Sequence, residues 1–285
     1  MKLALRITLL AAAAQIAVCQ NTSFSAVVTG SGKPMILIPG LECPGAVWNG
    51  TVEHFRDRYQ LHVLTLAGFA GQPAVAGLRL PAVRDDLIRY IRDQRLDRPV
   101  LVGHSLGGFL ALWVAATVPD LASRVISVDG VPFLPSLFNP AVQPGESREQ
   151  AERMRKLYAP LAPSQLEAMS RMALTQMISD PKNIEMAAAW ASQSDSAFVG
   201  QAIYDLMTTD LRPEVSRITA PLLLIVAGKG ASPQARAAYE DQVAKAPDHR
   251  VVVADGALHF VMLDDPSFLH GAMDRFLAEG GRHER

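Results

Sequence analysis

The chain contains Val100-Leu-Val-Gly-His-Ser-Leu-Gly-Gly108, followed by an apolar segment, 109–118, that stops at Pro119. An apolar run, a serine between glycines and a longer apolar run predict a buried strand, a very tight turn and a buried helix. The pattern G-x-S-x-G at such a junction is a nucleophile elbow: the serine sits on strained backbone and its hydroxyl stands clear of the sheet. The amide of Leu106 and the helix N-terminus behind it then face any negative charge that develops there. Five residues of this kind are a weak signal alone. Their placement between strand and helix makes the signal specific.

Outward from the elbow, apolar runs of strand length occur at 35–38, 61–66, 99–102, 125–128, 221–227 and 250–253, with a shorter alternating run at 24–28. Val83, Leu87 and Ile91 recur at helical spacing within 81–96, and further helices are expected at 233–246 and 266–278. Short alternation of strand and helix means a mostly parallel, doubly wound sheet covered on both faces. From 131 to 210 that alternation stops. Helical patches carrying Met154, Met169, Met172, Met177, Met186 and Met207 take its place, broken at Pro163 and Pro181. This segment is expected to be a helical cap inserted into a core formed by 21–130 and 211–285, its methionines lining an adaptable apolar pocket or filling its own core.

The 285 residues are 49% apolar, enough for a sizeable core, and carry a net charge of -1 without blocks of like charge. Nucleic acid and an anionic membrane surface are therefore not expected as partners. Lys2 and Arg6 precede a Leu- and Ala-rich run, 7–18, so residues 1–20 read as a signal peptide and the protein as exported, to the periplasm or beyond. The run is short for a membrane span. Cleavage is expected near Ala17-Val18-Cys19, with a cut after Ser25 as the alternative; Cys19 also offers a lipid attachment point, although Val18 is larger than the residue usual before one. Once the leader is removed Cys43 has no cysteine to pair with, and it lacks a basic partner, so it reads as a packing residue.

A serine hydroxyl needs a base. His259, in Asp255-Gly-Ala-Leu-His259, follows the last strand and is the candidate; His104 is expected to pack beneath Ser105, His62 to lie in the sheet, and His54, His249, His270 and His283 to be solvated. The acid that should orient the base is harder to place, because the loop 228–233 after the strand 221–227 has no carboxylate. Asp129, ending the strand after the elbow helix, keeps the order Ser, Asp, His; Asp255 and Asp210 are the other candidates, while Asp264 and Asp265 read as caps of the final helix. The turn Pro39-Gly40-Leu41 after the strand 35–38 supplies a second amide, that of Leu41, beside Leu106 for an oxyanion hole.

Together these features resemble the α/β-hydrolase superfamily over about 24–278. The resemblance implies a nucleophile at Ser105, a base at His259 and oxyanion amides at Leu41 and Leu106. It also allows the acid after the earlier strand, at Asp129. Pro39 stands where many members carry His, and Ser105 stands where epoxide hydrolases and haloalkane dehalogenases carry Asp. The expected activity is that of a carboxylesterase acting on small to medium apolar esters through an acyl-enzyme, without metal or organic cofactor. A carbon–carbon bond hydrolase, a lactone hydrolase and a cofactor-free perhydrolase share the same groups, and a non-catalytic ligand-binding protein on the same fold is the alternative outside catalysis.

Overall fold

The computed structural model describes residues 17–20, 23–143 and 145–279. Its strands are β1 (Ala17–Gln20), β2 (Phe24–Gly30), β3 (Lys33–Ile38), β4 (Tyr59–Leu66), β5 (Val100–His104), β6 (Arg124–Val128), β7 (Leu222–Ala227) and β8 (His249–Ala254). They form one sheet in the order β1-β2-β4-β3-β5-β6-β7-β8. β1 and β2 pair antiparallel and β2 runs antiparallel to β4; the pairs from β4 through β8 are parallel. The strands at the centre are apolar throughout, as burial on both faces requires: β5 is buried at every position and β7 at all but its last.

Helices cover the two faces. On one, α2 (Leu80–Asp93) and α3 (Leu106–Thr117) pack Val83, Leu87, Phe109, Leu110 and Val114 against Ile36, Leu101 and Leu224. On the other, α1 (Asn49–Phe55) and α10 (Pro266–Ala278) bring Phe55, Leu269, Met273 and Phe276 over Leu37, Val102 and Ile126. α3 is buried on nearly every side, which explains its unbroken apolar run. The strand order reverses between β3 and β5, since the chain adds β4 on one side of β3 and β5 on the other. The carboxyl ends of these two neighbours are the usual place for a ligand in such a sheet. Ser105 follows β5 directly, and Leu41 follows β3 after Pro39 and Gly40.

Between β6 and β7 lie α4 (Arg148–Tyr158), α5 (Pro163–Leu174), α6 (Pro181–Ala191) and α7 (Ser196–Thr208), with no strand among the described residues. This helical segment is tied to the core by a buried carboxylate: Asp205, 1% exposed, accepts from the Arg79 guanidinium and from the Leu80 amide at 2.9 Å, capping α2. Its methionines do not fill its core. Met172, Met177 and Met186 are exposed and none of the six joins the core, whose apolar contacts here come from Leu166, Leu174, Ala187, Ala188, Val199 and Ala202.

Of the leader read from the sequence, 1–16 lie outside the described residues, while Ala17–Gln20 forms the edge strand β1. A cut after Ser25 would sever more than an edge. Phe24 is 2% exposed in the core, the Ser23 hydroxyl donates to Asp86, and the Ser23 carbonyl accepts from the Ala67 amide at 2.9 Å. No helix among the described residues is long and apolar enough to cross a membrane.

Candidate active site

Ser105 links β5 to α3 with φ +53° and ψ -117°, outside the regions open to most side chains. Its amide donates to the Val128 carbonyl at 2.9 Å and its carbonyl accepts from Phe109 at 3.0 Å, so β6 and α3 hold the strained residue in place. The turn closes only because of glycine: a Cβ on Gly103 would run into the Gly107 carbonyl, and one on Gly107 into the Ile38 carbonyl at the end of β3. The second contact sets the start of α3 against the turn that carries Leu41. A Cβ on Gly40 would stand 3.4 Å from the Ser105 Cβ and 2.8 Å from Nδ1 of His104. Gly40 thus brings the turn that carries Leu41, one of the two expected oxyanion donors, against Ser105, while Leu106, the other, opens α3, whose first-turn amides have no helical acceptor of their own.

Asp129 and His259, 130 residues apart, meet at the same edge. Asp129 follows β6 in the left-handed region, φ +50°, its amide donating to the Ile225 carbonyl at 2.7 Å. One carboxylate oxygen, Oδ1, accepts from the Ala227 amide at 2.9 Å; the other, Oδ2, accepts from Nδ1 of His259 at 2.6 Å. The acid is almost wholly buried, with 4% of its side chain exposed against 23% for the imidazole. With Nδ1 donating, the neutral ring leaves its Nε2 lone pair free to take a proton. Asp210 and Asp255, the other candidates for the acid, are engaged elsewhere, Asp210 by Arg212 and Asp255 by Arg236.

Three side chains support the pair, and of these only the burial of His104 beside Ser105 was expected from the sequence. Tyr239, on α8 (Pro233–Val243), lies close enough to Asp129 to feel its charge; burial first, and that charge second, push its phenol up from the usual value. His104 is fully buried; Nε2 donates to the His259 carbonyl at 3.1 Å and its ring lies 4.7 Å from that of His259. Burial first, and the neighbouring His259 second, hold its pKa well below the ordinary histidine value, so it packs beside the base as a neutral ring. The loop carrying His259 is fixed by Asp264, which accepts from the Leu258 amide and from Ser179; the Phe260 amide reaches the Met177 carbonyl at 3.1 Å. Asp265, as expected, caps α10, accepting from the Phe268 amide at 3.0 Å. Asp264, the last residue of the short helix α9 (Val261–Asp264), does not cap α10.

The other histidines divide. His62 lies buried in β4 and receives the Tyr90 hydroxyl on Nδ1 at 2.7 Å. His54 and His270 stack at 4.5 Å; His54, which also bonds Asp274, is exposed as expected, while His270, likewise expected in solvent, is partly buried. His249 opens β8 and its Nδ1 donates to the Ala246 carbonyl, while His283 lies outside the described residues. Cys43 is buried, and its thiol is pushed up by burial and by Glu42 beside it, which suits a packing role. No group of three or more His, Cys, Asp or Glu among the described residues could hold a metal ion.

Comparison with known proteins agrees with this architecture. Pimeloyl-[acyl-carrier protein] methyl ester esterase of Aliivibrio salmonicida (strain LFI1238) is 25% identical over 194 residues, 68% of this chain and 72% of that protein. N-formylmaleamate deformylase of Pseudomonas putida is 25% identical over 261 residues, 87% of this chain and 90% of the relative. Among solved structures, a thermophilic esterase from Thermogutta terrifontis, malate bound, superposes with a TM-score of 0.74 at 21% identity, covering 93% of this chain and 99% of the other. The model of the alpha/beta hydrolase family matches residues 35–272, from the strand before Gly40 to the final helix, and the chain belongs to that family.

Proposed function

We propose that the protein is a serine carboxylesterase. Ser105 attacks the ester carbonyl while Nε2 of His259 takes its proton; Asp129 fixes the tautomer and opposes the imidazolium charge; the amides of Leu41 and Leu106 bind the oxyanion. The imidazolium then protonates the departing alcohol, and the freed base activates water to release the acid. One observation carries this reading. The acid–base pair at 2.6 Å sits at the sheet edge where the strained Ser105 stands, with nothing in the sequence offering Ser105 a different base. The esterases among its relatives support the bond type.

The test is a panel of short- and medium-chain p-nitrophenyl and methyl esters. Wild-type turnover is expected, with a loss on the order of 10⁴–10⁶ in kcat for Ser105→Ala. Equal rates for the two would remove Ser105 from the chemistry. The deformylase relative favours a second reading, cleavage of an N-formyl amide by the same groups, and a formamide in the panel separates the two. Export is part of the proposal and rests on Lys2, Arg6 and the apolar run 7–18. N-terminal sequencing of the mature protein should start near Cys19; a retained Met1 would refute it.

A further inference from the structure

Beside the elbow lies an ionisable side chain that the proposed chemistry does not use. Glu42 follows Leu41 and holds φ +61°, the left-handed region that a glutamate rarely enters. Two residues earlier, Gly40 approaches Ser105 closely, so this carboxyl belongs to the same turn as an expected oxyanion donor. Its Oε2 accepts from the Ser170 hydroxyl of α5 at 2.8 Å. Its Oε1 is buried without a hydrogen-bond partner, and no basic side chain pairs with Glu42 among the described residues. Burial is the main cause that pushes this carboxyl up to about 7, and its charge in turn acts on the Tyr158 hydroxyl and the Cys43 thiol. Ser170, Tyr158 and Cys43 are all neutral, so none of them balances a charge on Glu42.

A buried acceptor left unpaired costs free energy that a fold seldom tolerates without use, whereas a site built to bond a substrate group carries such an atom until the substrate arrives. We propose that Glu42 is a specificity-determining residue whose free Oε1 receives a hydrogen-bond donor, hydroxyl or ammonium, carried by the substrate next to its scissile carbonyl. This rests on the esterase reading for the reaction itself. It goes beyond that reading in the substrate class: a hydroxy- or amino-acyl ester in place of a purely apolar one.

The experiment compares kcat/KM for methyl butanoate with the 2- and 3-hydroxy and 2- and 3-amino esters, in wild type, Glu42→Gln, Glu42→Leu and Ser170→Ala. At least one donor-bearing ester should be preferred by wild type, and Glu42→Leu should lower that preference by about 10- to 100-fold. Glu42→Gln keeps an acceptor oxygen but no charge; it should retain a preference for hydroxyl and lose one for ammonium, which identifies the donor. Should Glu42→Leu fail to fold, the isosteric Glu42→Gln and the wild-type preference decide. No wild-type preference would overturn the proposal. So would equal losses on all esters, or a Ser170→Ala variant that reproduces Glu42→Leu, since Glu42 would then only clamp the cap. Calorimetric binding of the same esters to Ser105→Ala reads the preference with chemistry switched off, so a failed hydrolase reading and a failed role for Glu42 give different results.

Discussion

Replacing Asp129 by asparagine should abolish most of the activity while leaving the shape of the site intact. The carboxylate makes two bonds of opposite consequence: Oδ1 accepts from the Ala227 amide at 2.9 Å, and Oδ2 accepts from Nδ1 of His259 at 2.6 Å. An asparagine has one acceptor. If it serves Ala227, the amide nitrogen faces Nδ1 and forces the ring's proton onto Nε2, where it can no longer receive one from Ser105. If it serves His259, two donors oppose each other in a buried place. The imidazolium also loses its counter-charge, about 4 kcal/mol at roughly 4 Å and an effective dielectric near 20. Tautomer and charge together correspond to a fall in kcat of about 10⁴, or about 5 kcal/mol of barrier. Steady-state hydrolysis of p-nitrophenyl acetate measures it, and a thermal melt run in parallel excludes unfolding as the cause. A folded Asp129→Asn enzyme within tenfold of wild type would strip Asp129 of this role and send the search for the acid elsewhere.

Tyr239→Phe, which removes a buried hydroxyl beside Asp129, should lower kcat about fivefold to tenfold, the worth of about 1 kcal/mol, in the same assay; an unchanged rate would make that hydroxyl incidental. Gly40→Ala would put a methyl 2.8 Å from Nδ1 of the fully buried His104, a cost of about 1–3 kcal/mol in urea unfolding, together with a loss of activity as the Leu41 amide shifts. His62, neutral in the sheet because burial lowers its pKa from 6.5 to about 4, gives an acid-sensitive stability. Its folded value is depressed, so the unfolded chain binds a proton that the fold refuses, and stability present above pH 6.5 should drain away as pH falls toward 4, by up to about 3 kcal/mol. Denaturant melts at about pH 7 and about pH 4.5, on either side of the unfolded value, should show this loss in wild type and a smaller one in His62→Gln; parallel slopes would contradict it.

What the sequence made legible was local. The elbow reads clearly because strand, serine and helix are contiguous, and their glycines are required by contacts within a few residues or with the neighbouring strand end. The β/α alternation reads clearly because each element carries its own period. Asp129 was reachable only by elimination, from the missing carboxylate after β7 and the chain order of the three groups. Tyr239 and the seat of His104 against the His259 carbonyl depend on contacts across more than a hundred residues, and neither side chain has a local pattern to betray it. The helical segment between β6 and β7 shows where composition misleads about a core. Its methionines drew attention by composition, yet the smaller Ala and Leu positions took the buried face and left Met172 mostly in solvent. Glu42 gave no signal either, since a lone glutamate after a glycine turn reads as a solvated loop residue until its burial is seen.

Every step of the proposed chemistry depends on Ser105 being an activated nucleophile. Treating the purified protein with a fluorophosphonate and mapping the product by peptide mass spectrometry decides this without reference to any substrate. A single covalent adduct is expected on the peptide bearing Ser105, formed slowly or not at all in Asp129→Asn and His259→Ala. A folded wild-type protein that stays unlabelled, or is labelled at another residue, would contradict it.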